Sequence, residues 1–144
     1  MKQGHNRAFL AIDYGKRRIG LAKSDPLGII ASALDTLTVH SRREAVAKVR
    51  EVIAQYELNG LVVGYPLLAS GDRSPMCEEI DRFLDDLCAT WRGPVYKVDE
   101  EYSSSEAVSL VHAQGRRVGK DKGKVDQLAA VVILRRFLDE YRQD

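Results

Sequence analysis

Ala8-Phe9-Leu10-Ala11-Ile12-Asp13-Tyr14-Gly15-Lys16-Arg17-Arg18-Ile19-Gly20 opens on a strand-like apolar run that closes at an acid, then turns through a glycine-punctuated basic segment back into apolar sequence. An acid at a strand end beside a cationic hairpin points to metal-assisted phosphate chemistry. Two more acids stand where that reading needs them: Glu100 at the end of a short strand and Asp126 at the start of an apolar helix.

Working outward, residues 8–13 and 18–24 read as two strands joined by the Tyr14-Gly15-Lys16-Arg17 turn, and 28–37 as a third after the Asp25-Pro26-Leu27 break. These form an antiparallel meander. Ser41-Arg42-Arg43-Glu44 is a capping-box pattern, and Ala45, Val46, Val49, Val52, Ile53 and Tyr56 follow at helical spacing until Asn59-Gly60. Leu61-Val62-Val63-Gly64 is too short for a helix and lacks polar alternation, as expected of a central strand covered on both faces. Pro66 to Ser74 reads as a loop, and Ser74-Pro75 supplies an N-cap and first-turn proline for a helix over 75–90.

After Gly93-Pro94, Val95-Tyr96-Lys97-Val98 is a fifth strand, and Ser103-Ser104-Ser105-Glu106 opens a helix that ends near Gln114-Gly115. Arg116 to Lys124 is a polar, glycine-containing connection. A last helix over 125–141 shows an apolar face of Leu128, Ala129, Val132, Leu134, Phe137, Leu138 and Tyr141. The resulting order, β-β-β-α-β-α-β-α-α, predicts a three-layer α/β fold. Its five-stranded mixed sheet has the meander followed by two strands parallel to the first, with helices flanking it. That order fits an RNase H-like fold, although periodicity alone leaves other three-layer α/β sheets open.

At 144 residues, 44% hydrophobic and 30% charged, residues 1–144 are sized for a single domain with a substantial core. Lys and Arg number 22 against 21 Asp and Glu, so any nucleic-acid affinity must come from local patches rather than net charge. No apolar stretch approaches the roughly 20 residues of a membrane span, and Met1 to Arg7 lack a signal-peptide core, so the expected location is cytoplasmic with no membrane partner. Cys77 and Cys88 would stand about 16 Å apart in one helix, too far for a disulfide. Their place on a stripe with Ile80, Leu84 and Leu87 predicts that both pack as small hydrophobes.

In parallel α/β sheets functional groups gather at the carboxyl ends of strands, where Asp13 and Glu100 both fall, and Asp126 could close over the same point. Carboxylates without a nearby histidine or cysteine favour Mg²⁺ or Mn²⁺ over zinc. Two such ions about 3.5–4 Å apart would suit in-line hydrolysis of a phosphodiester. A lone acid at such a place is more often a cap or a surface charge, and Asp126 would be favourable at a helix N-terminus on dipole grounds alone. Spacing by itself leaves both readings open.

Four blocks in order then resemble the YqgF (RuvX) family of RuvC-like, RNase H-fold nucleases. They are Ala11 to Gly20 with Ser24-Asp25; Leu61-Val62-Val63-Gly64-Tyr65-Pro66; Val98-Asp99-Glu100 with Ser103, Ser104, Glu106 and Ala107; and Asp126-Gln127-Leu128-Ala129-Ala130. The resemblance implies that Asp13, Glu100 and Asp126 carry metal and catalysis, in maturation of the 5′ end of pre-16S ribosomal RNA or in resolution of Holliday junctions. Asp99 is the competing acid, but adjacent strand residues face opposite ways, so only one of Asp99 and Glu100 can serve. The choice falls on Glu100. This chain departs from the family at Glu101, where arginine is usual, and at Leu67-Leu68-Ala69-Ser70-Gly71, where an Asp-Gly or Asn-containing loop is usual. Both departures bear on substrate detail rather than fold.

Lys16, Arg17 and Arg18 follow Asp13, and Arg116, Arg117, Lys120, Lys122 and Lys124 crowd the segment before Asp126. Both clusters could hold the phosphates of structured RNA or branched DNA. Tyr14, Tyr65 and Tyr102 each follow a strand end and could stack on a splayed base, although burial in the core is the commoner fate of such a residue. Two other classes remain: a ribosome-associated RNA-binding module without catalysis, and an ATPase of the actin and sugar-kinase type, which needs two such domains where this chain has room for one. A symmetric cut across a four-way junction would require a homodimer, whereas trimming an rRNA precursor needs one site.

Overall fold

The computed structural model describes residues 8–99 and 122–142, with side chains over 8–99 and 127–141. Five strands are present: β1 (Phe9–Tyr14), β2 (Arg18–Ser24), β3 (Ala31–Thr38), β4 (Gly60–Tyr65) and β5 (Val95–Asp99). They form one sheet in the order β3-β2-β1-β4-β5, with β1, β2 and β3 antiparallel and β1, β4 and β5 parallel. Helices α1 (Arg42–Ile53) and α2 (Pro75–Leu87) cover one face, and α3 (Lys122–Arg142) covers the other. The expected helix at 103–115 lies outside the described residues.

β1 is central and apolar on both faces because both are covered. Leu10, Ile12 and Tyr14 join Val46, Val49, Ile80, Phe83 and Leu87 under α1 and α2. Phe9 and Ala11 join Ala22, Val62, Val98, Ala130, Leu134 and Phe137 under α3. Alternation at a period of two produces this division. Ser41 caps α1 by accepting from the Glu44 N–H at 3.0 Å, while the Glu44 carboxylate accepts from the His40 N–H at 2.7 Å. The capping box is therefore present, reaching one residue further back than Ser41 itself.

Several boundaries differ from the sequence reading for physical reasons. β3 begins at Ala31 rather than 28, because the Asp25 carboxylate accepts from the N–H groups of Ile29 (2.7 Å) and Ile30 (3.0 Å) and Gly28 takes φ +71°, which ties 25–30 into a turn. α2 ends at Leu87 rather than 90, since the Ala89 and Thr90 N–H groups bond to Asp86 and Leu87, closing a tighter final turn. Cys77 is buried as expected, but Cys88 is exposed: it is the C-cap residue, so the apolar stripe stops before it. Both cysteines are free. Lys122 and Lys124 fall inside α3, which starts before the expected 125, so they do not belong to the preceding connection.

The β2–β3 ladder slips by one residue. Ile19 pairs with Leu37 but Leu21 pairs with Leu34, so Asp35 and Thr36 stand together opposite Gly20. This bulge lets Leu34 and Leu37, three apart, both pack on the α1/α2 face.

Candidate active site

Asp13 is the penultimate residue of β1, at the carboxyl end shared by β1, β4 and β5. It follows Phe9 and Ala11 in alternation, which places it on the face covered by α3, where it is half-buried. Its cross-strand partner in β2 is Gly20. On the other side Ile12 pairs with Val63, so the next residues in register are Asp13 and Gly64, and Gly64 in turn pairs with Val98. The carboxylate thus rises between two glycines, over a floor made of backbone. Both glycines are buried, and the carboxylate's oxygen donors suit a hard cation. Among the described residues no group of three or more His, Cys, Asp or Glu side chains is gathered to hold a metal.

Of the other acids, Glu100 lies outside the described residues, and Asp126 is the fifth residue of α3. Asp99 ends β5. Val98 shares Asp13's face, so alternation turns Asp99 the opposite way, toward α2's side of the sheet, where it is exposed. The Asp99 carbonyl accepts from Arg136 of α3 at 2.7 Å.

Beside Asp13, the β1–β2 turn presents Lys16 and Arg17 to solvent, while Arg18 opens β2 and is half-buried. Gly15 is required in this turn, because a Cβ there would come 2.6 Å from the Arg18 carbonyl oxygen. The turn is fastened further by the Val39 N–H donating to the Arg17 carbonyl at 2.9 Å. Arg116, Arg117 and Lys120 lie outside the described residues; Lys122 and Lys124 are in the first turn of α3.

Tyr14 is a core residue. Its ring lies 4.6 Å from that of Phe83, and its hydroxyl donates to Glu79 at 3.2 Å. Burial, reinforced by the Glu79 carboxylate, pushes the phenol up to about 12. Tyr65 is held differently: its hydroxyl donates to Asp81 at 3.0 Å and accepts from Arg73 at 3.0 Å, and the Lys97 ammonium stands 4.6 Å over its ring. Tyr102 lies outside the described residues.

Sequence reasoning missed this Tyr65–Arg73–Asp81–Lys97 cluster, whose members come from β4, the following loop, α2 and β5. Lys97 donates to Asp81 at 3.0 Å and Arg73 bonds the same carboxylate. Burial alone would raise Asp81, but the Lys97 ammonium, the Tyr65 hydroxyl and the Arg73 guanidinium outweigh it and hold the carboxyl below its usual range. The cluster braces the loop that leaves β4 next to Gly64.

Gln127 was also missed. Its side-chain amide donates to the Leu34 carbonyl of β3 at 2.8 Å. A signal existed: Gln127 falls in phase with Ala130, Leu134, Phe137 and Tyr141, a polar residue on the stripe that packs on the sheet.

The comparisons with known proteins agree with this architecture. Thermus thermophilus RuvC, solved in complex with a Holliday junction substrate, superposes with a TM-score of 0.56 at 16% identity, covering 94% of this chain and 96% of that one. The Fowlpox virus resolvase, solved with Holliday junction DNA, gives 0.58 at 10% identity, covering 93% and 98%. These likenesses establish the RNase H-like fold. Among curated relatives, a protein of Koribacter versatilis named "Putative pre-16S rRNA nuclease" is 42% identical over 135 residues, 94% of this chain and 88% of the relative. A protein of the same name from Chloroflexus aurantiacus is 35% identical over 140 residues, 97% of this chain and 92% of the relative. The family model described as RuvX, Holliday junction resolvase, matches residues 7–140. This chain is a member of the RuvX family.

Proposed function

We propose that residues 1–144 form one nuclease domain, a Mg²⁺- or Mn²⁺-dependent endonuclease that hydrolyses phosphodiester bonds in the cytoplasm. Its substrates are structured RNA, such as the 5′ region of a pre-16S rRNA, or branched DNA. The observation that carries this reading is the half-buried Asp13 carboxylate on its glycine floor at the carboxyl end of the central strand. Among the described residues no helix is long and apolar enough to cross a membrane.

In this reading Asp13, Glu100 and Asp126 hold the metal. Asp99 turns away from Asp13's face, so the reading takes Glu100, the next acid in sequence, in its place. A bound Mg²⁺ or Mn²⁺, singly or as a pair, would supply Lewis acidity for the scissile phosphate and lower the pKa of an attacking water. The protein's own contribution is placement. Gly20 and Gly64 keep side chains away from the reacting centre, Lys16 and Arg17 offer solvent-facing cations for flanking phosphates, and the turn at Gly15 fixes those cations next to Asp13. Arg18, Arg116, Arg117, Lys120, Lys122 and Lys124 complete the proposed nucleic-acid contacts.

The test offers purified protein, with Mn²⁺ or Mg²⁺, both a synthetic four-way DNA junction and a pre-16S rRNA fragment. Asp13→Asn, Glu100→Gln and Asp126→Asn serve as controls. Metal-dependent cleavage of either substrate that each variant abolishes supports the reading, and the cleaved substrate identifies the class. Cleavage that survives in the variants or in EDTA would sink it. Metal-independent RNA binding without cleavage would instead mark a non-catalytic RNA-binding module.

A further inference from the structure

Apolar packing fixes which face of a helix meets a sheet, but burial is non-directional and sets no angle at any single atom. Metal–ligand distances tolerate only about 0.2 Å. If α3 carries a metal ligand, directional bonds must fix it. α3 packs against all five strands, and two of its side chains bond backbone carbonyls of the sheet's two edge strands: Gln127 to Leu34 of β3 at 2.8 Å, and Arg136 to Asp99 of β5 at 2.7 Å. The Arg136 tether secures the far part of the helix. The Gln127 tether is the one next to Asp126.

Its attachment point bears on the site. Leu34 borders the bulge in which Asp35 and Thr36 face Gly20, and Gly20 is Asp13's own cross-strand partner. The turn of α3 that holds Asp126 is therefore fastened to the stretch of sheet that holds Asp13, through a bond one residue from Asp126. Gln127 is half-buried on the sheet-facing stripe, where a leucine or alanine would satisfy packing equally well. A polar residue there is explained by its bond.

Building on the three-carboxylate reading, we infer that Gln127 is a positioning residue of the metal site: its bond to the Leu34 carbonyl holds the start of α3 in the place that brings Asp126 to Asp13. Residues that orient metal ligands in this way typically carry 10–100-fold in metal affinity or activity.

The test replaces Gln127 by Met, which keeps length and apolar contact but has no donor, and by Asn, which keeps the amide but is one methylene too short. Calorimetry with Mn²⁺ alone, thermal melting, and kcat and KM at saturating metal are measured for both, with Asp13→Asn as reference. Gln127→Met is expected to weaken Mn²⁺ binding about tenfold or more and to lower kcat with KM for the nucleic acid unchanged, while the melting temperature stays within a few degrees of wild type. Gln127→Asn should behave alike, and it decides the matter if the Met variant does not fold. Wild-type Mn²⁺ affinity and kcat in the folded variants would overturn the inference, as would a lowered melting temperature with unchanged metal affinity, which would make the bond structural only. Failure of the underlying reading looks different: wild type and Asp13→Asn would then bind Mn²⁺ equally, and the inference would fall with it.

Discussion

Tyr14 sits one residue beyond Asp13, and its buried hydroxyl makes the end of β1 sensitive to alkali in a way that can be worked out. Its phenol is pushed from the ordinary 10 up to about 12 by burial and by the Glu79 carboxylate 3.2 Å away. An acid whose folded pKa is raised holds its proton more tightly when folded, so its contribution is complete below pH 10 and is lost as pH climbs from 10 to 12. At 1.36 kcal/mol per pKa unit the loss is about 1.4 kcal/mol at pH 11 and about 2–3 kcal/mol when complete. Tyr14→Phe removes the ionisable group and one hydrogen bond while keeping the ring contact with Phe83. Near pH 8 the variant should be less stable by about 1 kcal/mol. Because the wild type alone then loses ground, the two stability curves should cross near pH 11. Urea unfolding of both proteins from pH 8 to 12 measures this, and the difference between them cancels the lysines and other tyrosines that titrate in the same range. A difference that stays constant across that range would show that the Tyr14 phenol ionises normally and that the burial argument is wrong.

Further outcomes follow from other contacts. Gly64→Ala adds a methyl beside Asp13 on the buried α3 face; metal affinity and cleavage should fall by roughly 10–100-fold, a larger loss than the accompanying drop in melting temperature explains, as read by Mn²⁺ calorimetry and melting. Asp81→Asn removes the anchor of Arg73 and Lys97. Since the native carboxyl is held below its usual range, its stabilisation is present above the ordinary carboxylate pKa and fades as pH falls through the lowered value, so wild type and variant should converge in acid unfolding curves. Ser41→Ala removes the cap on α1 and should cost about 1 kcal/mol in urea melts without affecting metal affinity.

The strands were legible because their apolar runs and breaks are local signals, and β1 announced its central place by lacking polar alternation. What escaped depends on atoms distant in sequence. Asp25's side chain shortens β3 by capturing two N–H groups that would otherwise extend the strand. The bulge exists only as a relation between β2 and β3, and hydropathy along either strand cannot display it. Gly20 and Gly64 were visible as glycines, yet their meaning appears only when register places one on each side of Asp13. Asp13's position at the carboxyl end of β1 follows from the sequence and is seen in the sheet. Glu100 is outside the described residues.

The face beneath α3 changes character along its length. At the start of β1, Phe9 packs edge-on with Phe137 (4.9 Å), Tyr141 (5.2 Å) and Tyr96 (6.2 Å), an aromatic cluster that anchors the C-terminal part of the helix. One step on comes Ala11, and the next step on the same face is Asp13 between Gly20 and Gly64. Side-chain bulk therefore falls away toward the end where the strands present their carboxyl termini. The aromatic end supplies burial, worth several kcal/mol for a ring such as Phe137, while toward the other end the half-buried Asp13 stands between two buried glycines. Burial of Ala129 to Leu134 carries the packing of the helix on toward its start. Gln127, next along, bonds the sheet itself, and a hydrogen bond of about 1 kcal/mol there gives the contact a fixed direction.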